Sequence, residues 1–249
     1  MLSKAAIKYI NSLQIKKYRH QHQAFLVEGA KSVVELLSSD YEIEKIYLTE
    51  DFLHKNTQIK TKNIAYELVP EKELVKAGTF ATNNAALAVA RIKPPSSFLL
   101  NLQTLTLVLD DIRDPGNLGT IIRLADWYGL TDLVCSPTCA DFYNPKVIAA
   151  TMGSFTRLRL HYLELETFLQ NIPLGLPVYG ASLHGRNIHR LQLKPAGVLV
   201  MGNEAHGIRP EVEQHLRELI KIPLFGKAES LNVANATGII LDNFFRHVS

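Results

Sequence analysis

The sequence predicts a two-part α/β protein, with a small mixed unit followed by a larger one built on a parallel sheet. Three observations predict it. Apolar segments alternate with helical patterns along most of the chain. In the second part the strand candidates are continuously apolar, as in a parallel sheet covered on both faces. RIKPPSSF (91–98) places two prolines and two serines between two apolar strands, which divides the chain into 1–96 and 97–249.

The first part reads as a helix over 2–12, an extended FLVEG (25–29) and a helix over AKSVVELLSS (30–39). Strands IEKIYLT (43–49) and AYELV (65–69) follow, then a short helix EKELVKAG ended by Gly78 and a last strand AALAVARI (85–92). The second part offers strands TLTLVLDD (104–111), DLVCSP (132–137), PVYGAS (177–182), AGVLVMGN (196–203) and LIKIPLF (219–225). Helical patterns follow several of them: NLGTIIRLADWYG, NPKVIAATMGSF, RPEVEQHLREL and SLNVANATGIILDNFFRHV.

At 249 residues, 47% hydrophobic and 20% charged, the composition is that of a soluble globule. The first residues are too polar for a signal peptide, and no run of about 18 apolar residues exists, so a cytoplasmic protein with no membrane partner is expected. Cys135 and Cys139 lie four apart with no second pair, which argues against a zinc site or a disulfide framework. Residues 1–97 carry a net charge of +4 and the remainder −1. Lys4, Lys8, Lys16, Lys17, Arg19 and Lys31 cluster early, beside His20 and His22, which suits a phosphate-rich partner or a solvated helix face.

In parallel sheets ligands collect at the carboxyl ends of strands, and three strand ends here carry unusual residues. DPGNLGTIIR has a Pro-Gly turn, with Asn117 as expected N-cap of a helix starting at Leu118, and Arg123 about one and two-thirds turns further on. Asn117 could hold that guanidinium. VLVMGNEAHGI ends an apolar strand in Gly202, Asn203 and Glu204; His206 reads as a loop residue. IPLFGKAESLNVANATGII opens a helix with Ser230 as expected N-cap, and places Asn232 and Asn235 in its first turns as amides needing partners. Neither GxGxxG nor a Gly-Lys-Ser/Thr phosphate loop is present, which argues against a dinucleotide enzyme.

These three stretches resemble the signatures of the SpoU (TrmH-type) RNA 2′-O-ribose methyltransferases of the SPOUT superfamily. NLGTIIR is similar to its first motif, VMGNEAHGI to its second and IPLFGKAESLNVANA to its third, in the same order. The resemblance covers about residues 102–248. Residues 10–92, with KKYR, FLVEGAKSVVELL and AALAVA, look like the family's L30e-like substrate-binding domain, although NNAALAVA departs from the usual Pro-Gln-Gly version.

The resemblance implies a C-terminal SPOUT domain with a trefoil knot, a homodimer with the active site near its interface, and S-adenosylmethionine as cofactor. Its pocket would be formed around Val200, Met201, Gly202, Ile222, Pro223, Leu231 and Asn232. Catalytic roles fall to Arg123, Asn117, Glu204, Ser230 and Asn232, with no metal. Arg123 is the family's proposed general base; a guanidinium holds its proton, so phosphate placement and charge stabilisation are the alternative. Glu204 would accept a hydrogen bond from Arg123 or from the target ribose. The 2′-hydroxyl restricts the substrate to RNA, and docking falls to Lys16, Lys17, Arg19 and Lys31 together with Arg123. Ribosomal RNA is favoured; transfer RNA, or a non-catalytic RNA-binding role, is the alternative.

Overall fold

A computed structural model of the chain describes residues 1–246. In chain order the elements are α1 (Lys4–Ser12), α2 (Lys16–His22), β1 (Ala24–Glu28), α3 (Ala30–Leu37), β2 (Ile43–Leu48), α4 (Glu50–Lys55), α5 (Gln58–Thr61), β3 (Tyr66–Leu68), α6 (Glu71–Ala77) and β4 (Ala86–Arg91). Then come β5 (Leu105–Leu109), α7 (Pro115–Trp127), β6 (Asp132–Cys135), α8 (Pro145–Ala150), β7 (Arg159–Tyr162), α9 (Leu165–Gln170), β8 (Val178–Asn187), β9 (Gly197–Met201), α10 (Pro210–Glu213), β10 (Glu218–Lys221) and α11 (Val233–Phe245). The last helical pattern ran to Val248; His247 and Val248 lie outside the described residues.

Contacts divide the chain into two units. The first holds Met1–Pro94 together with Asp141–Arg157. Its sheet has the order β1-β4-β2-β3, antiparallel except between β2 and β3. Successive side chains of β1 point to opposite faces. Leu26 joins Ile10, Leu13, Leu74, Leu87 and Val89 in one cluster. Phe25 meets Tyr41, Tyr143 and Phe155, with ring centroids 5.5, 4.7 and 6.0 Å away. NPKVIAATMGSF, expected to be one helix of the larger part, is instead the six-residue α8 followed by a 3-10 turn over Ser154–Thr156, and it packs in this first unit. Apolar burial decides that placement: Val147, Phe155 and Ile148 are at most 1% exposed.

Helix α2 has no counterpart among the predicted elements, and its Arg19 corrects an expectation. Only 2% of the Arg19 side chain is exposed. Its guanidinium donates to Leu13 O at 2.9 Å, to Gln14 O at 2.8 Å and to the Asp141 carboxylate. Each donor direction serves the fold, so Arg19 is unavailable to RNA.

The second unit holds Pro95–Ala140 with the chain from Leu158 onward. Six strands in the order β10-β8-β9-β5-β6-β7 form a fully parallel sheet. Every residue of β5 and β9 is buried, Thr106 of β5 included, as their largely apolar sequences require. Strand β7 and helix α9 went unpredicted because β7 is a four-residue edge strand with one buried position, His161. Strand β10 stops at Lys221, which leaves Ile222–Phe225 as loop rather than strand. Parallel direction places the carboxyl ends of β5, β9, β8 and β10 on one edge, and helices α7 and α11 pack together.

Candidate active site

Helix α7 starts three residues earlier than its sequence suggested. Asp114 is the N-cap, its carboxylate accepting the Asn117 N–H at 2.8 Å, with Pro115 in the first turn. Asn117 therefore caps nothing, and its side chain is free for other work. At the last helix the same correction applies. Asn232, not Ser230, is the N-cap of α11, accepting from Ala234 N at 3.0 Å and Asn235 N at 3.3 Å. Asn235 is exposed, so it is not the buried amide in need of a partner that was expected.

The two amides form a directed chain. Asn232 Nδ2 donates to Asn117 Oδ1 at 2.9 Å, and Asn117 Nδ2 donates to the Glu204 carboxylate. Backbone N–H groups at the positive end of α11 thus feed through two amides to one carboxylate oxygen. Residues 117, 204 and 232, from three separate strand ends, meet in one hydrogen-bonded line.

The loop bearing Glu204 is braced at both ends by the residues that close β5. Asn203 Nδ2 donates to Asp111 O at 2.9 Å. Asp110, fully buried, accepts from Arg209 N at 2.9 Å and Arg209 Nε at 2.8 Å. Within the loop, Asn203 and Gly207 exchange two backbone hydrogen bonds of 2.9 Å. A Cβ on Gly202 would lie 2.3 Å from Gly207 C and Ile208 N, so only glycine fits there. Asp111 adopts φ 60°, and its N–H donates to Ser136 Oγ at 2.9 Å. Beneath the turn Cys139 accepts from Ile112 N at 3.3 Å. A hydrogen bond with Cys135 is the main cause that holds the Cys139 thiol down at about 7, while the Cys135 thiol is pushed up.

A cavity of about 490 Å³ opens between this loop, the end of β8 and the loop from β10 to α11. Met201, Gly202, Ile222, Pro223 and Leu231, five of the residues predicted around the cofactor, line it. Val200 and Asn232 do not. Val200 is fully buried within β9, and Asn232 is occupied by Asn117. Ala181, Ser182, Leu183 and His184 line the cavity and were missed. The strand PVYGAS continues to Asn187, so its sequence gives no sign that its end reaches the cavity. Ser230 lines the cavity, but no hydrogen bond of its side chain is seen among the described residues.

Arg123 does not join this cluster within the chain. Six residues along a helix is about 600° of rotation, which turns Arg123 well away from Asn117. It is exposed and forms no hydrogen bond or ion pair among the described residues, so neither Asn117 nor Glu204 of its own chain holds it. Thr120, Arg123 and Trp127 share an exposed stripe of α7, and Trp127 is 83% exposed. In the first unit Lys16, Lys17 and Lys31 are exposed, as docking to phosphates requires.

Two family profiles match the chain. The profile of the SpoU rRNA Methylase family matches residues 104–242, and that of an MRM3-like substrate binding domain matches residues 4–88. The chain belongs to the SpoU rRNA methylase family. It is a methyltransferase with S-adenosylmethionine as its cofactor. The chain is 30% identical over 237 residues to the 23S rRNA (guanosine(2553)-2′-O)-methyltransferase RlmP of Bacillus subtilis, covering 94% of each chain. It is 32% identical over 142 residues to the 23S rRNA (guanosine-2′-O-)-methyltransferase RlmB of Xanthomonas axonopodis, covering 56% of this chain and 57% of that one. An AdoMet-bound rRNA methyltransferase from Sinorhizobium meliloti superposes with a TM-score of 0.87 at 27% identity, covering 100% of this chain and 97% of that one.

The cavity of this SpoU-family chain fits the cofactor. Met201, Ile222, Pro223, Leu231 and Ile240 give apolar walls suited to a flat base, and Glu204, Glu213 and Glu229 among the lining residues would offer negative charge to a cationic cofactor. Gly202 leaves backbone, rather than side chain, against the floor.

Proposed function

We propose that the protein methylates a ribose 2′-hydroxyl of ribosomal RNA, as a cytoplasmic homodimer whose C-terminal unit carries the family's trefoil knot. The observation that carries this reading is the line Asn232–Asn117–Glu204, which ends on a carboxylate that lines the cavity. The cofactor, when bound, supplies an electrophilic methyl group. The chain's own task is to present the attacking oxygen and exclude competing positions. Asn117 occupies one Glu204 oxygen and leaves the other to accept the hydrogen bond of the ribose hydroxyl. Ser230 lines the same cavity, and Asn232 holds Asn117 in place.

Among the described residues no cation joins that line, and Arg123 forms no hydrogen bond or ion pair there. In a two-fold dimer formed through the α7 stripe, the Arg123 of one protomer serves the Glu204 site of the other, gripping the phosphate beside the target ribose and stabilising the oxygen as charge develops. The exposed Trp127 on the same stripe supports such an interface. The basic first unit, through Lys16, Lys17 and Lys31, docks structured RNA.

The test is a map of ribose methylation in ribosomal and transfer RNA from cells with and without the protein. The expected result is one 2′-O-methyl mark lost from ribosomal RNA. A mark lost only from transfer RNA overturns the ribosomal assignment, and an unchanged map overturns ribose methylation.

A further inference from the structure

Tyr18 presents part of its ring to solvent without a polar or aromatic partner among the described residues. Tyr18 sits in the middle of α2, is 37% exposed, and has neither a ring contact nor a hydrogen bond among the described residues. Lys16 and Lys17 precede it, His20 and Gln21 follow it, and all four are exposed. Ile15, three residues before Tyr18, is 54% exposed. Two lysines and an exposed aromatic ring thus share one short stretch of surface helix.

The helix that presents Tyr18 is fixed. Arg19, the next residue, is held by two backbone carbonyls and by Asp141, so α2 cannot rotate to hide the ring. A ring held in place and flanked by phosphate-binding lysines is the arrangement that stacks an unpaired base, because every base has an aromatic face and the adjoining phosphates need cations. A base inside a duplex offers no such face.

We infer that Tyr18 is a stacking platform for an unpaired nucleotide of the RNA, with Lys16 and Lys17 on the flanking phosphates. The inference rests on the reading that the first unit docks RNA, and adds that it prefers a single-stranded or looped-out segment.

The test uses the full-length protein with two probes, a single-stranded oligouridine and an RNA duplex of equal length, titrated over a range of salt. Base–aromatic stacking is worth about 1–3 kcal/mol, so Tyr18→Ala should weaken the single-stranded probe about 5- to 150-fold. The slope of log affinity against log salt should stay unchanged, since no phosphate contact is removed. Duplex affinity should not move, and Tyr18→Phe should retain single-stranded binding. Lys16→Ala/Lys17→Ala should flatten the salt slope on both probes. If Tyr18→Ala leaves single-stranded affinity intact, or weakens both probes equally, the stacking role is overturned while RNA docking stands. If the double lysine variant also changes neither probe, docking by this unit is overturned as well.

Discussion

Asn117 donates its side-chain amide to the carboxylate of Glu204, 87 residues away in sequence, and accepts in turn from Asn232. Asn117→Ala removes the middle of this chain without touching the cavity wall. A hydrogen bond to a charged group contributes about 1.5–3 kcal/mol, so kcat should fall about 10- to 100-fold. Affinity for S-adenosylmethionine should change little. Single-turnover kinetics with calorimetry check this; weakened cofactor binding at unchanged kcat would move Asn117 out of the chemical step.

Gly202→Ala should act on the cofactor instead. The added methyl meets backbone rather than a yielding side chain, and overpacking of this kind costs about 1–3 kcal/mol. The loop must shift, and calorimetry should show cofactor affinity lost or sharply reduced. A variant that binds as tightly as wild type would show that the 202–208 loop is not the cofactor floor.

Much of this site was legible in the sequence, and what was missed has identifiable causes. Glycines and amides at strand ends mark close backbone approach and unsatisfied donors, so 117, 202, 204 and 232 stood out. Their local roles did not, because Asp114 and Asn117, or Ser230 and Asn232, are equally good caps by residue type. Only the three-dimensional start of each helix separates them. Arg19 looked like its neighbouring lysines because its partner, Asp141, lies 122 residues further on. The membership of Asp141–Arg157 in the first unit was hidden for the same reason, since burial of Phe155 against Phe25 leaves no local signature.

That membership predicts the outcome of truncation. Deleting residues 1–94 keeps the residues around the cofactor cavity but strips Phe155, Tyr143 and Asp141 of Phe25 and Arg19. The remaining chain should melt earlier than the whole protein and bind a hydrophobic dye. A truncated chain with an unchanged melting temperature would contradict the two-segment construction of the first unit.

Stability should depend on one carboxylate at low pH. Burial alone would raise Asp132, but hydrogen bonds from Arg159, His161 and Thr131 outweigh it and hold the carboxyl well below the usual range. A carboxyl depressed in the folded state stabilises it above the unfolded value of about 3.9, and that contribution is lost as pH falls further. Asp132→Asn should lower stability at neutral pH and flatten its decline below about pH 4. Denaturant midpoints measured across pH check this; parallel curves for the two proteins would contradict it.

Mixing two inactive variants tests the shared site most directly. Arg123→Ala and Glu204→Ala should each be inactive alone while keeping their fold, since both side chains are exposed. If Arg123 of one protomer completes the Glu204 site of its partner, random reassociation gives one whole site in each mixed dimer, and activity should recover to about a quarter of wild type. A mixture that stays inactive, with mixed dimers shown to have formed, would contradict catalysis across the interface.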